Sequence, residues 1–201
     1  MELREILKRR KSVRAFQQQP VPSEALDRIL ASARHAPSAG FTQGNEYLVL
    51  DTPATVEEFW NLIDDPDEPM TSEQRAVLAP VVILPLANRQ AYLDRYSQPD
   101  KIAAGMDTVE RWPAPYWDID AGMASMLMLL AAIDEGLAAY FFGMAYGERA
   151  VLHRFSVPTD FKPIGVIALG YAAATDPNAA LSSTRRRQHR PIETLIHRNG
   201  W

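Results

Sequence analysis

The chain has 201 residues, with 21 Lys and Arg against 25 Asp and Glu, so its formal charge is −4 and no global basic field draws it to nucleic acid or an anionic membrane. Hydrophobic residues make up 47%, enough for one packed core, and the absence of cysteine excludes disulfides, thiolate catalysis and thiolate metal sites. The opening MELREILKRR is charged from its second residue and lacks the apolar core of a signal peptide, so the expected compartment is the cytoplasm.

Residues 2–9 set Leu3, Ile6 and Leu7 on one helical face and run into RRKSVRAF, residues 9–16. In that cluster Arg14 suits bidentate contact, Lys11 a point charge and Ser12 a neutral hydrogen bond, together a set for a phosphate monoester. Cations at a helix end also complement the helix dipole, so a solvated helix end and an anion socket both fit. Ser23 is placed to cap a second helix with the stripe Leu26, Ile29, Leu30 and Ala33, stopped by Pro37. The loop APSAGFTQG, residues 36–44, is built of small residues around Ser38; it allows close approach of a planar ligand, or is a plain helix-to-strand connection. EYLVL, 46–50, reads as a strand and residues 57–63 as a short helix.

Further along, DDPDEP, 64–69, is an acidic loop, and PVVILPL, 80–86, is an interior strand that Pro85 should end early. Residues 94–117 are irregular, with Pro99, Pro113, Pro115 and the aromatics Trp112, Tyr116 and Trp117; connections of this length often cover a site. The apolar run 121–133 falls short of the roughly 20 residues of a membrane span and reads as a buried helix, capped by Asp118 or Asp120 and ended by Gly136. LAAYFFGM is a strand leading to Gly143, where a backbone N–H can meet a ligand heteroatom or simply form a turn. Residues 148–155 form a helix with Val151, Leu152 and Phe155 inward, and PIGVIALGY, 163–171, is another interior strand.

The tail carries Arg185, Arg186, Arg187 and Arg190, then turns apolar at Ile192, Leu195, Ile196 and Trp201. Those arginines are either solvated or converge with the N-terminal cluster on one phosphate. Helices and strands alternate irregularly, which favours an α+β fold. There is no Walker loop, no G-x-G-x-x-G, no G-x-S-x-G elbow, and the four histidines lack metal-ligand spacing. With 10 glycines and no phosphate-cradling loop, any phosphate has to be held by side chains.

Taken in order, RRKSVRAF, PVPSEALDRILASARHAPSAG, APVVILPL, DIDAGMASMLMLLAAIDEGLAAYFFG, VPTDFKPIGVIALGY and HRPIETLIHRNGW resemble the FMN-dependent nitroreductase family over nearly the whole chain. The resemblance implies one α+β domain, 1–201, with a central mixed or antiparallel sheet flanked by helices. It implies an intertwined homodimer with FMN at each of two interface sites, and residues 182–201 as an extension wrapping the partner. It implies hydride transfer from NADH or NADPH to the flavin and on to nitroaromatics, quinones or similar small acceptors. Two rival chemistries share the fold: a flavin dehydrogenase of a biosynthetic intermediate using oxygen, and an FMN-binding protein without turnover.

Mapped residue by residue, the R-x-S-x-R segment falls on Arg10, Lys11, Ser12 and Arg14, with Arg187 and Arg190 from the tail as further phosphate ligands. The loop supplied by the partner falls on Pro37, Ser38 and Ala39, and Gln43 is kept. Phe142 and Gly143 stand where a backbone N–H faces flavin N5. The family commonly reads A-P-S-x-x-N-x-Q-P-W; here Phe41 replaces the asparagine and Gly44-Asn45 replaces Pro-Trp. Phe41, Trp112 and Tyr116 are expected around the substrate. No catalytic side chain and no metal are expected, because the cofactor bears the chemistry.

Overall fold

A computed structural model describes residues 1–176 and 189–201. Its sheet has five strands: β1 (Asn45–Leu50), β2 (Val81–Asn88), β3 (Ala138–Phe142), β4 (Phe161–Pro163) and β5 (Val166–Gly170). The order is β1-β2-β5-β3, β4 also pairs with β2, and every pairing is antiparallel. The alternation of side chains along the central strands splits the core in two. Val81 and Ile83 of β2, with Ile167 and Leu169 of β5, meet Leu26, Ile29, Ala124 and Met128 on one face. Val82, Leu84, Val166 and Ala168 meet Val56, Phe59, Trp60 and Val151 on the other. Both faces of the centre are therefore covered, which is why residues 81–87 are apolar without a polar alternate.

The helices supplying those layers are α1 (Leu3–Arg9), α2 (Ser23–Ser32), α3 (Pro53–Leu62), α4 (Ser72–Arg75), α5 (Arg89–Tyr96), α6 (Tyr116–Asp134) and α7 (Glu148–Arg154). α6 buries small residues, Ala121, Ala124, Ser125 and Ala132, and so lies close against the sheet. By length and composition alone α6 could cross a membrane; its packing against β2, β3 and α2 makes it a core helix. Its end follows the expected device. Gly136 takes φ 76°, with Gly136 N–H donating to Ile133 O at 3.0 Å and Leu137 N–H to Ala132 O at 2.8 Å.

Several local expectations change. Pro85 does not end β2, which runs to Asn88. In a strand the N and O of one residue point to the same side, and Pro85 O accepts from Ile164 N at 3.1 Å. The missing N–H therefore faces the break between β4 and β5, where the ladder is already interrupted. α3 begins at Pro53, four residues before the expected start, because Thr52 caps it and proline suits a first turn. Ser23 lies inside α2 and makes no cap bond. Asp118 sits in the first turn of α6 and faces Lys162 at 3.6 Å, while Asp120 turns inward instead of capping. Residues 94–117 are not structureless: they complete α5, form 3-10 turns at Ile102–Ala104 and Val109–Arg111, and pack an aromatic cluster of Tyr92, Tyr96, Trp112 and Trp117.

Candidate functional site

The basic segment leaves α1 in extended conformation, Arg10 at φ −60° and ψ 116°. It then runs beside the sheet: Ser12 forms a parallel bridge to Ala139, Val13 N–H donates to Ala139 O at 3.2 Å, and Phe16 bridges Ala172. Ala15 and Phe16 are buried and anchor this edge. Lys11 and Ser12 are exposed, and Arg10 and Arg14 are half-buried. The Arg14 guanidinium lies 4.5 Å over the Tyr140 ring. Tyr140 stacks on Phe142 at 5.1 Å, and Phe142 on Trp60 at 5.8 Å.

Arg28, Arg75, Arg95, Arg111 and Arg154 each hold a carboxylate. Among the described residues Arg10, Lys11 and Arg14 hold none, as do the scattered Arg4, Arg34, Arg89 and Arg149, so what sets the cluster apart is that its cations are contiguous. Cations beside a serine along one sheet edge are the donor types that a phosphate needs; Arg10, Lys11 and Ser12 line one cleft, whereas Arg14 does not and turns over Tyr140 instead. A cleft of about 250 Å³ opens there, lined by Arg10, Lys11, Ser12, Leu137 and Phe141 among others. That is smaller than the roughly 300–1,000 Å³ of a typical small-molecule pocket. At the far end of β3, Gly143 is exposed, and a Cβ built on it would meet nothing within 4 Å. One strand therefore joins the basic segment to an open stretch of backbone.

The loop at 37–43 does not line this cleft. Pro37 and Gln43 are exposed, Ser38 and Ala39 are partly covered, and the Phe41 side chain is 75% exposed. The loop is tied from behind by Asp120, a residue expected to cap α6. Asp120, 1% exposed, accepts from Ala39 N–H and from the Tyr92 hydroxyl, both at 2.8 Å. Burial, reinforced by that bond to Asp120, pushes the Tyr92 phenol well above its ordinary range. The available signal was that Asp120, unlike Asp118, stands one turn ahead of Ala124 on the sheet-facing side of the helix.

The remaining candidates divide. Trp112 is 8% exposed, its Nε1 donates to Met106 O at 2.8 Å, and its ring stands edge-on to Tyr92, Tyr96 and Trp117. It is a core residue of the segment over α5 and presents no broad face. Tyr116 is 37% exposed at the start of α6. Arg187 lies outside the described residues. Arg190 is exposed and donates to Thr194 O at 3.0 Å, within its own turn.

The comparisons bear on the whole chain. The nitroreductase family's model matches residues 7–171. A relative from Methanothermobacter thermautotrophicus, provisionally named NADH dehydrogenase/NAD(P)H nitroreductase, is 28% identical over 176 residues, 86% of this chain and 78% of its own. Among solved structures, a nitroreductase family protein of Clostridium difficile 630 superposes with a TM-score of 0.69 at 21% identity, covering 100% of both chains. A nitroreductase-type protein of Exiguobacterium sibiricum 255-15, solved in complex with FMN, gives 0.68 at 20% identity over 98% of this chain and 97% of its own.

Proposed function

Because the chain belongs to the nitroreductase family, we propose that it works as a cytoplasmic homodimeric oxidoreductase that takes hydride from NADH or NADPH and passes electrons to nitroaromatics, quinones or similar small acceptors. It is an enzyme whose cofactor is FMN. The observation that carries the reading is the run of unpaired cations and Ser12 along the edge of β3, ending at the open backbone of Gly143. The donor set fits the cofactor: Arg10, Lys11, Ser12 and Arg14 would hold its terminal phosphate, and Phe142 and Gly143 would offer backbone to its ring. Bound there, FMN supplies a ring that accepts a hydride and releases electrons again. Arg14 is already oriented by Tyr140, so it loses less freedom on meeting an anion. A backbone N–H is a fixed dipole that needs no titration, which fits a site without a general acid.

A second copy supplies what one chain lacks. The 250 Å³ cleft is undersized, and the loop at 37–39 would close it from the partner. α6 keeps Ile119, Met123 and Met126 exposed on one stripe, and Ile192, Leu195, Ile196 and Trp201 are at least 49% exposed. These surfaces support a seam along α6 with the apolar residues 192–201 reaching across it; the first part of the proposed extension, 182–188, lies outside the described residues. The test is the visible spectrum of the purified protein, followed by anaerobic mixing with NADH and with NADPH. Flavin absorbance identifiable as FMN on denaturation, and bleaching by a nicotinamide donor, are expected. Failure of both donors to bleach a yellow protein would overturn the proposed electron donor, and a colourless protein that takes up no FMN would overturn the whole reading.

A further inference from the structure

Residues 38–43 are held in a conformation their sequence disfavours. Gly40, Phe41 and Gln43 take φ of 62°, 55° and 54°. Glycine adopts this region freely, but for a bulky phenylalanine it is an outlier. Packing within its own chain does not offset the strain, since the ring is 75% exposed. What sustains the loop is a set of bonds from α5 and α6. Asp120 takes the Ala39 N–H, Arg95 Nε donates to Gly40 O at 3.0 Å, and Arg95 is itself fixed by Asp100 at 2.7 and 2.8 Å. Thr42 and Ser38 close the loop internally, Thr42 Oγ1 donating to Ala39 O at 2.6 Å and Ser38 Oγ accepting from Gln43 N–H at 3.0 Å. The Tyr92 and Tyr96 rings lie where side chains at Gly44 and Gly40 would stand, 2.6 and 2.8 Å from a Cβ.

A carboxylate buried to 1% exposure has a large desolvation cost, and here its two bonded donors are the loop and the tyrosine packed behind it. We propose that Asp120 is a positioning residue: through Ala39, and with Tyr92, it locks residues 38–43 so that the Phe41 ring stands out toward the partner's site as a stacking surface for planar aromatic acceptors. This rests on the function proposed above and names the residue that sets acceptor class. Asp120 touches no reacting atom in this scheme; it acts only through the loop. A planar ring gains by stacking on Phe41, whereas a compact inorganic acceptor gains nothing.

The test uses the FMN-loaded protein and four forms: parent, Asp120→Asn, Phe41→Ala and the double variant. Amide hydrogen exchange over 38–43 should speed up about tenfold or more in Asp120→Asn, as expected when one buried partner of a hydrogen bond is weakened. KM for 1,4-naphthoquinone should rise by about tenfold in Asp120→Asn, while KM for ferricyanide and both kcat values stay within about twofold. Phe41→Ala should raise KM for the quinone at least as much, and the double variant should be no worse than Phe41→Ala, because both changes remove one stacking surface. Unchanged exchange over 38–43, equal losses with both acceptors, or multiplying effects in the double variant would each overturn the assignment. Should Asp120→Asn fail to fold, Tyr92→Phe keeps the ring and deletes only the hydroxyl; it should raise KM for the quinone about threefold, and a parental KM would overturn the assignment. A yellow, NADPH-bleachable Asp120→Asn protein with parental KM values sinks this inference alone, whereas a protein that takes up no FMN sinks it together with the function.

Discussion

Arg14 stacks on Tyr140 with no carboxylate to neutralise it, so its charge is available to a ligand phosphate. Charge-assisted hydrogen bonds contribute about 1.5–3 kcal/mol, so Arg14→Ala should weaken FMN binding by about tenfold or more. Titrating the flavin-free protein and following flavin fluorescence checks this; undiminished affinity would remove Arg14 from the phosphate site. Tyr92 yields a second expectation, with its sign fixed by linkage. Its pKa is raised in the folded state, chiefly by burial, so its contribution to stability is complete below the unfolded phenol value of about 10 and is lost as pH rises beyond it. Above pH 10 the slope from this group should approach about 1.4 kcal/mol per pH unit, and Tyr92→Phe should lack that part of the decline in urea midpoints measured between pH 9 and 11. The two residues were unequally legible. Arg14 belongs to a contiguous cluster whose charge is visible in the sequence. Asp120 meets partners 28 and 81 positions away, a juxtaposition that exists only once α5, α6 and the loop are packed.

At the level of elements, two glycines in left-handed conformation should respond very differently to the same methyl group. Gly136 ends α6 at φ 76° with nothing within 4 Å of its Cβ position, so Gly136→Ala should cost only the conformational strain, about 1–2 kcal/mol. Gly147 opens α7 at φ 71°, but a Cβ there would sit 1.9 Å from Leu62 O at the end of α3. Gly147→Ala should therefore add overpacking to strain and cost about 3 kcal/mol or more. Urea unfolding of both variants decides it, and equal losses would mean that the α3–α7 junction gives way at no cost. The contrast shows where sequence reading stops. Gly136 was legible because a glycine after a long apolar helix is a local signal, and β1, β3, α6 and α7 were found the same way. Pro85 and the start of α3 were misjudged because each depends on a neighbour: a break in the adjacent strand for one, a threonine cap for the other. The order of the sheet and the shared burial of α2 and α6 on one face are long-range facts with no local signature; the family resemblance anticipated a sheet flanked by helices and neither of these.

At the scale of the molecule, one chain leaves apolar surface where a folded protein needs a reason for it. Ile119, Met123 and Met126 form a stripe at spacings of four and three on α6, 41%, 37% and 38% exposed, on the helix whose other side is core. The loop 37–43 does not line the basic cleft, and in the proposed dimer a second copy would bring its loop there. Paired charge on that stripe should separate the copies without disturbing the fold, because both side chains project from the exposed side. Met123→Lys combined with Met126→Lys is expected to give a monomer by light scattering, with an unchanged far-ultraviolet circular dichroism spectrum. If the site is built as proposed, FMN affinity should fall further than in Arg14→Ala, since the phosphate would keep its cations while the ring would lose the partner's loop. A double variant that stays dimeric would place the seam elsewhere than α6; a monomer that binds FMN at parental strength would mean that one chain completes the site by itself.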